Sequence, residues 1–293
     1  MLPFLGELRA LLDQYPGTVS LGEISAEDST ATMAEYTGPG RLHMAYSFDL
    51  LSEDSSPAHI RATVENWQSS GRDGWPCWAI SNHDVERVAS RWGHGKMPAA
   101  RATQLTAMIC SLRGTVCVFQ GEELGLGEAD VPFESLRDPF GIEFWPSFKG
   151  RDGCRTPMPW TRSASAGFSD AKPWLPVSPE HQALAVEEQE RDPRSALNGF
   201  RRFMRWHRQH AALKWGGIAF VHAGDGVLAF VRDFEGERIL AAFNLSDSAV
   251  SIELAATYRG TALSGHGLIE GSLVGRKLSL PVGGALFCKL SAP

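Results

Sequence analysis

Apolar positions in the first 120 residues switch repeatedly between a helical period and short unbroken runs. From Phe4 to Gln14, Leu5, Leu8, Leu11 and Leu12 recur on one side, which predicts a helix closed by Pro16-Gly17. Thr18 to Leu21 then reads as a short strand running into Gly22-Glu23, and Leu42 to Phe48 as a second strand. Pro57 to Ser70 reads as a helix, with Pro at its start and Gly71 just past its end. Trp78 to Ser81 is a third apolar run, stopping at Asn82-His83-Asp84. Pro98 to Leu112 has Leu105, Met108, Ile109 and Leu112 at helical intervals, and Val116 to Gln120 is a fourth strand ending at Gly121-Glu122-Glu123. Strands alternating with helices predict βα units on a parallel sheet, an α/β fold. Four such units make half of an eight-stranded barrel, and each run ends in polar residues where such folds place their chemistry.

Residues 125–180 are rich in Pro, Gly and Trp and carry no sustained period, the mark of a functional loop region. Ser195 to His210 gives one more amphipathic helix. After Lys214 the pattern becomes alternating: Ile218–His222, Val227–Asp233, Arg238–Asn244, Ser248–Leu254 and Ala285–Leu290, separated by turns such as Ala-Gly-Asp-Gly. That predicts an antiparallel β-sandwich domain. The expected division is therefore residues 1–212, α/β, and 213–293, all-β, within a chain of 293 residues.

Composition excludes more than it selects. With 43% hydrophobic and 21% charged residues the chain is neither disordered nor fibrous. A net charge of −6 without a Lys/Arg run gives no surface for nucleic acid. No run of eighteen apolar residues suggests a membrane partner, and the first residues lack a secretory pattern. The five cysteines are odd in number, scattered and never in a C-x-x-C pair, which argues against a disulfide framework or zinc site and for a reducing, cytoplasmic setting.

Glu23 and Asp84 both fall at strand ends, two strands apart. Taken singly, a glutamate is most often a solvated loop acid, an aspartate before a helix is most often a cap, and His83 could be a core histidine. Together, two carboxylates, a histidine and a nearby arginine at the ends of parallel strands suit glycosidic-bond cleavage. That reaction needs one acid to protonate the leaving oxygen and further groups to face the anomeric carbon and hold the hydroxyls. The chain's 9 Trp offer flat surfaces for sugar rings.

The motifs sharpen this. Val19-Ser-Leu-Gly-Glu23-Ile resembles the strand-five motif of family 13 glycoside hydrolases, and Trp78-Ala-Ile-Ser-Asn82-His83-Asp84-Val-Glu-Arg87 the strand-seven motif. Phe119-Gln-Gly-Glu-Glu-Leu-Gly-Leu is similar to the strand-eight motif. Tyr36 to Leu51 and Gly150-Arg151-Asp152-Gly-Cys-Arg155-Thr-Pro-Met-Pro-Trp160 are similar to stretches of exo-acting bacterial α-glucosidases and oligo-1,6-glucosidases. The resemblance runs through nearly the whole chain in the family's order. It implies strands five to eight of a TIM-type (β/α)8 barrel followed by the C-terminal β-sandwich. It also implies Glu23 as general acid/base, Asp84 as stabiliser of the oxocarbenium-like transition state, His83 and Arg151 as glucose binders, and Phe48 at the end of strand six near the aglycone. The implied substrate is a small α-gluco-oligosaccharide or α-glucoside, with no metal and no cofactor.

One departure matters. The family's nucleophilic aspartate lies on strand four, in a Gly-Phe-Arg-x-Asp-like motif, and the chain contains none. Strands one to four and the lid domain after strand three are expected to be missing. A retaining mechanism then lacks its nucleophile, so the expectation is a fragment inactive alone and poorly soluble through its open strand edges. The other readings are a non-catalytic relative serving as a binding module, against which intact Glu23, His83 and Asp84 speak, and one half of a split α-glucosidase/transglucosidase whose protein partner is the missing N-terminal half, with transglucosylation and isomerisation open on the same residues. An upstream reading frame ending in the strand-four motif would favour truncation or splitting over the binding module.

Overall fold

The computed structural model describes residues 1–70, 74–93 and 97–291. It opens with helix α1 (Leu2–Leu12), strand β1 (Leu21–Ile24), helix α2 (Ser29–Tyr36), strand β2 (Met44–Ser47) and helix α3 (Pro57–Ser69). Strand β3 (Cys77–Trp78), the short helix α4 (Val88–Arg91), helix α5 (Ala99–Ser111) and strand β4 (Thr115–Val116) follow. β1 pairs with β2 and β3 with β4, both parallel, and a parallel bridge between Ala45 and Pro76 joins the two pairs. The four strands thus lie side by side in chain order, with helices between them.

The local causes are legible. Ser56 caps α3 by accepting from the His59 amide, Pro57 pre-sets its first turn, and Ile60, Val64 and Trp67 bury one face. Gly71, expected just past this helix, lies outside the described residues. Several expectations shift: the third strand is Cys77–Trp78 rather than Trp78–Ser81, and the fourth Thr115–Val116 rather than Val116–Gln120. The first strand is Leu21–Ile24 rather than Thr18–Leu21, because its ladder starts where the Ser20 carbonyl receives the Met44 amide at 3.1 Å. Glu23 therefore lies inside the strand, not beyond it. Helix α2 was not expected: it buries only Met33 and Ala34, a face too narrow to stand out, and Asp28 starts it by accepting from Ala31 N.

Residues 125–180 hold 3-10 turns at Phe133–Ser135 and Asp152–Arg155 and the short helices α6 (Pro139–Glu143) and α7 (Pro179–Ala183). Then come α8 (Val186–Arg191), α9 (Ala196–His207) and α10 (Ala211–Trp215). The C-terminal part contains β5 (Gly217–Val221), β6 (Val227–Phe234), β7 (Glu237–Asn244), β8 (Val250–Glu253), β9 (Gly260–Ala262), β10 (Ile269–Glu270), β11 (Ser272–Val274), β12 (Lys277–Leu280) and β13 (Gly284–Leu290). One sheet runs β10-β13-β7-β6-β5, with β9 also on β13, and a second runs β11-β12-β8. The pairings in both sheets are antiparallel except β10 with β13 in the first. The short strands β9 to β12 escape a sequence reading because two to four residues are too few to establish a period.

The large sheet is covered on both faces. Leu228, Phe230, Ile239, Ala241, Phe243, Ala285 and Phe287 share a core with α5, α9 and α10, through Leu105, Met108, Phe203 and Leu213. The intervening Ala229, Val231, Leu240, Ala242, Leu286 and Cys288 pack towards Leu278 and Leu280 of the small sheet. This double burial makes the strands nearly continuous in apolar residues and fastens the β unit to the α/β unit. Among the described residues no helix is long and apolar enough to cross a membrane.

Candidate active site

The register of β1 on β2 sets Glu23 opposite Tyr46, so both side chains rise on one face of neighbouring parallel strands. The Tyr46 hydroxyl donates to Glu23 Oε1 at 2.5 Å, and Asn82 Nδ2 donates to the same oxygen at 3.2 Å. Asn82, buried beyond the end of β3, also accepts the Asp84 amide on its Oδ1 at 2.9 Å. One asparagine therefore ties the β1 carboxylate to the loop that bears Asp84. Phe48 follows β2 directly and sits half-buried with its ring 6.5 Å from that of Tyr46.

Asp84 is held by two guanidiniums, with an imidazole nearby. Arg151 Nη1 reaches Asp84 Oδ1 at 3.0 Å and Arg155 Nη2 reaches it at 2.8 Å, while His83 Nε2 stands 3.7 Å away. Arg155 Nε donates to the His83 carbonyl at 2.7 Å, which fixes the Asn82-His83-Asp84 turn from outside. The His83 ring is exposed. Arg151 is aimed by Asp138, whose buried carboxylate takes Nε and Nη2, each at 2.9 Å, and the Arg151 amide at 2.8 Å. The guanidinium holds the Asp138 carboxyl far below the usual range, and Asp138 in turn raises Arg151. Asp152 completes the clamp by accepting the Arg137 and Asp138 amides. A cavity of about 810 Å³ opens beside this group, lined by Asp84, Arg151, Glu53, Glu128 and Phe148 among others. Glu23, His83 and Phe48 lie outside that lining.

All five residues named from sequence thus fall in one region: Glu23 and Phe48 around Tyr46, and Asp84, His83 and Arg151 around one ion-pair cluster, with Asn82 between. Sequence reasoning passed over Tyr46, Asn82, Arg155 and Asp138 as individual actors. Tyr46, Asn82 and Arg155 stood inside the motif stretches, but the strand register that sets Tyr46 against Glu23 leaves no local signal. The Asp138-Pro139 pair signals a helix start, which it provides by accepting the Phe140 amide, but nothing local reveals its grip on Arg151.

Beneath the site, Arg87 is buried and donates to the Gln120 and Cys154 carbonyls at 2.6 and 2.8 Å, beside the buried Glu122. Burial pushes Glu122 up to about 8. The folded chain then holds a proton on Glu122 that the unfolded chain has released above about 4.5, so stability falls as pH rises between those two values. Glu122→Gln should remove that fall. The melting temperature of the variant relative to wild type is expected to climb from pH 5 to pH 8 by the equivalent of roughly 1–3 kcal/mol. Parallel melting curves across that range would refute it.

Comparison with known proteins agrees with the motifs. The family described as "Alpha amylase, catalytic domain" matches residues 2–216, and "Maltogenic Amylase, C-terminal domain" matches 218–281. A "Probable alpha-glucosidase" of Rhizobium meliloti (strain 1021) is 42% identical over 294 residues, covering 99% of this chain and 53% of that protein. The "Oligo-1,6-glucosidase" of Parageobacillus thermoglucosidasius is 28% identical over 72% of this chain and 44% of its own length. Among solved structures, the α-glucosyl transfer enzyme XgtA superposes with TM-score 0.95 at 51% identity, covering 99% of this chain and 54% of that one. Trehalulose synthase MutB from Pseudomonas mesoacidophila MX-45, at TM-score 0.85 and 24% identity, shares the fold. The chain spans about half the length of the curated relatives it matches.

Proposed function

The chain belongs to the α-amylase family of glycoside hydrolases, family 13, a TIM-barrel-like fold with a C-terminal β domain, and on that premise we propose that it carries the acid/base half of a retaining α-glucosidase site. In this reading residues 1–212 are strands five to eight of the barrel with their helices, and residues 213–293 are the C-terminal domain. Glu23 is the general acid/base and Asp84 the transition-state stabiliser. His83 and Arg151 hold the hydroxyls of a non-reducing terminal glucose, and Phe48 flanks the aglycone. The nucleophilic carboxylate comes from a segment outside these residues.

The chemistry follows from the roles. Glu23 gives its proton to the glycosidic oxygen as the bond to the anomeric carbon breaks, while the nucleophile attaches to that carbon from the opposite face. Asp84, a carboxylate kept in place by two guanidiniums, faces the positive charge that develops on the ring. Glu23, now ionised, takes the proton of a water whose oxygen bonds to the anomeric carbon as the bond to the nucleophile breaks, which frees α-glucose. The observation that carries the reading is the Asn82 bridge, which fixes Glu23 and Asp84 in one frame beside Arg151.

The chain alone is expected to show no turnover of p-nitrophenyl α-glucoside. Joining the N-terminal portion of the R. meliloti relative ahead of Met1 should restore it, and Asp84→Asn should abolish it again. Robust turnover by the isolated chain, or activity unaffected by Asp84→Asn, would overturn the proposal. A second reading, glucosyl transfer by the same residues, is favoured by the 51% identity to an α-glucosyl transfer enzyme. It requires only that an acceptor hydroxyl replace water in the second step. Adding an alcohol to the joined enzyme and finding its α-glucoside as the main product would decide for transfer.

A further inference from the structure

We propose that Tyr46 is a positioning residue for Glu23 and, with Asn82, fixes which oxygen of that carboxyl carries the transferred proton. This rests on the reading of Glu23 as the acid/base and adds a residue to it.

Both donors, the Tyr46 hydroxyl at 2.5 Å and Asn82 Nδ2 at 3.2 Å, converge on Oε1. Among the described residues Oε2 receives no hydrogen bond. A carboxyl oxygen has two lone pairs in the carboxylate plane, and on Oε1 both are engaged by donors. When Glu23 is neutral, a proton on Oε1 would displace one of these donors, whereas Oε2 takes it at no such cost. The same atom then delivers the proton in the first step and accepts it from water or an acceptor alcohol in the second. Oε1 stays an acceptor throughout, so no hydrogen bond has to be broken as the charge of Glu23 changes.

The arrangement is built in before any substrate arrives. Glu23 is exposed, and a glutamate in that setting ordinarily samples many rotamers. Tyr46 is 8% exposed, packed with Leu51, Cys77 and Ala79, and cannot follow a wandering partner. The rigid ring thus imposes its place on the flexible acid, the kind of support that catalytic geometry needs. Burial first, and then the Glu23 carboxylate, keep the Tyr46 hydroxyl well above the ordinary phenol range, with the Cys117 thiol also facing it. Tyr46 therefore remains a donor at every pH at which Glu23 could act and does not compete as the acid.

The test uses the full chain labelled with 13Cζ-tyrosine, which has 4 tyrosines, the Tyr46 signal being assigned with Tyr46→Phe. Glu23→Gln is expected to move the Tyr46 signal and raise its ionisation constant at least about threefold. In Tyr46→Phe, which keeps the packed ring, relaxation of the Glu23 side-chain methylenes should show markedly greater mobility. A Tyr46 signal and ionisation indifferent to Glu23→Gln, or equal Glu23 mobility with and without the hydroxyl, would overturn the inference. Neither readout needs turnover, so its failure is separable from failure of the acid/base reading, which stands or falls on the kinetics of Glu23 variants.

Discussion

In the enzyme completed with an N-terminal half, Glu23→Ala is expected to lower kcat for maltose-type substrates by about 10²–10⁴, the usual contribution of a general acid/base. The loss should be much smaller in the first step for a dinitrophenyl α-glucoside, whose leaving group departs without a proton. Hydrolysis of the glucosyl–enzyme intermediate still lacks its base, so that substrate should give a burst followed by slow turnover. Azide, small enough for the space left by the missing side chain and needing no deprotonation, should then restore turnover and yield α-glucosyl azide. The retained configuration follows because azide attacks the face that the leaving group left. Asp84→Ala lacks charge stabilisation in both steps and is expected to show no such rescue. A Glu23→Ala enzyme equally slow on all leaving groups and deaf to azide would remove Glu23 from the acid/base role. Product of inverted configuration would remove the retaining mechanism.

The parts that sequence made legible are those where one residue answers to one local rule. The order of four strands and the helices α1, α3 and α5 up to residue 120 were readable because buried βα units leave clean periods, and Ser56-Pro57 announces α3 by its cap. Glu23, Asp84, His83, Arg151 and Phe48 could be named as candidates because each sits in a recognisable motif. What joins them was not readable. Tyr46 reaches Glu23 only through the register of two strands 23 residues apart, and Asn82 reaches it across 59. Asp138 belongs to a loop with no period, and its role depends on Arg151 folding back 13 residues later. The strand β1 slipped by three residues for the same reason: its ends are set by the partner strand, not by its own apolar run. Long-range pairing, invisible in local pattern, decides where the motif residues point.

The same limit hides the residue expected to matter most for stability. Arg232 looks like an outward-facing residue of an alternating strand, yet it is fully buried between the α/β and β units. Its five described hydrogen bonds all go to backbone carbonyls: Nη1 to Ser111, Leu112 and Leu213 at 2.6, 2.8 and 2.8 Å, Nη2 to Gly216 at 2.9 Å, and Nε to Gly217 at 3.1 Å. Ser111 closes α5, and Leu213 and Gly216 lie at the end of α10, so the guanidinium neutralises the negative ends of two helices while satisfying carbonyls that have no helical partner. Burial lowers its pKa to about 9, still leaving the cation in place at neutral pH. Arg232→Ala strands those carbonyls away from water and opens a void between the units, for an expected loss of about 3–5 kcal/mol. That corresponds to a melting temperature lower by roughly 10 °C. Arg232→Lys keeps the charge but has three donors on one atom and cannot span five carbonyls, so it should recover less than half of the loss. Thermal unfolding of both variants, followed by circular dichroism, measures this. A lysine variant as stable as wild type would mean that charge alone holds the helix ends, and an alanine variant within 1 kcal/mol would mean that water replaces the guanidinium at little cost.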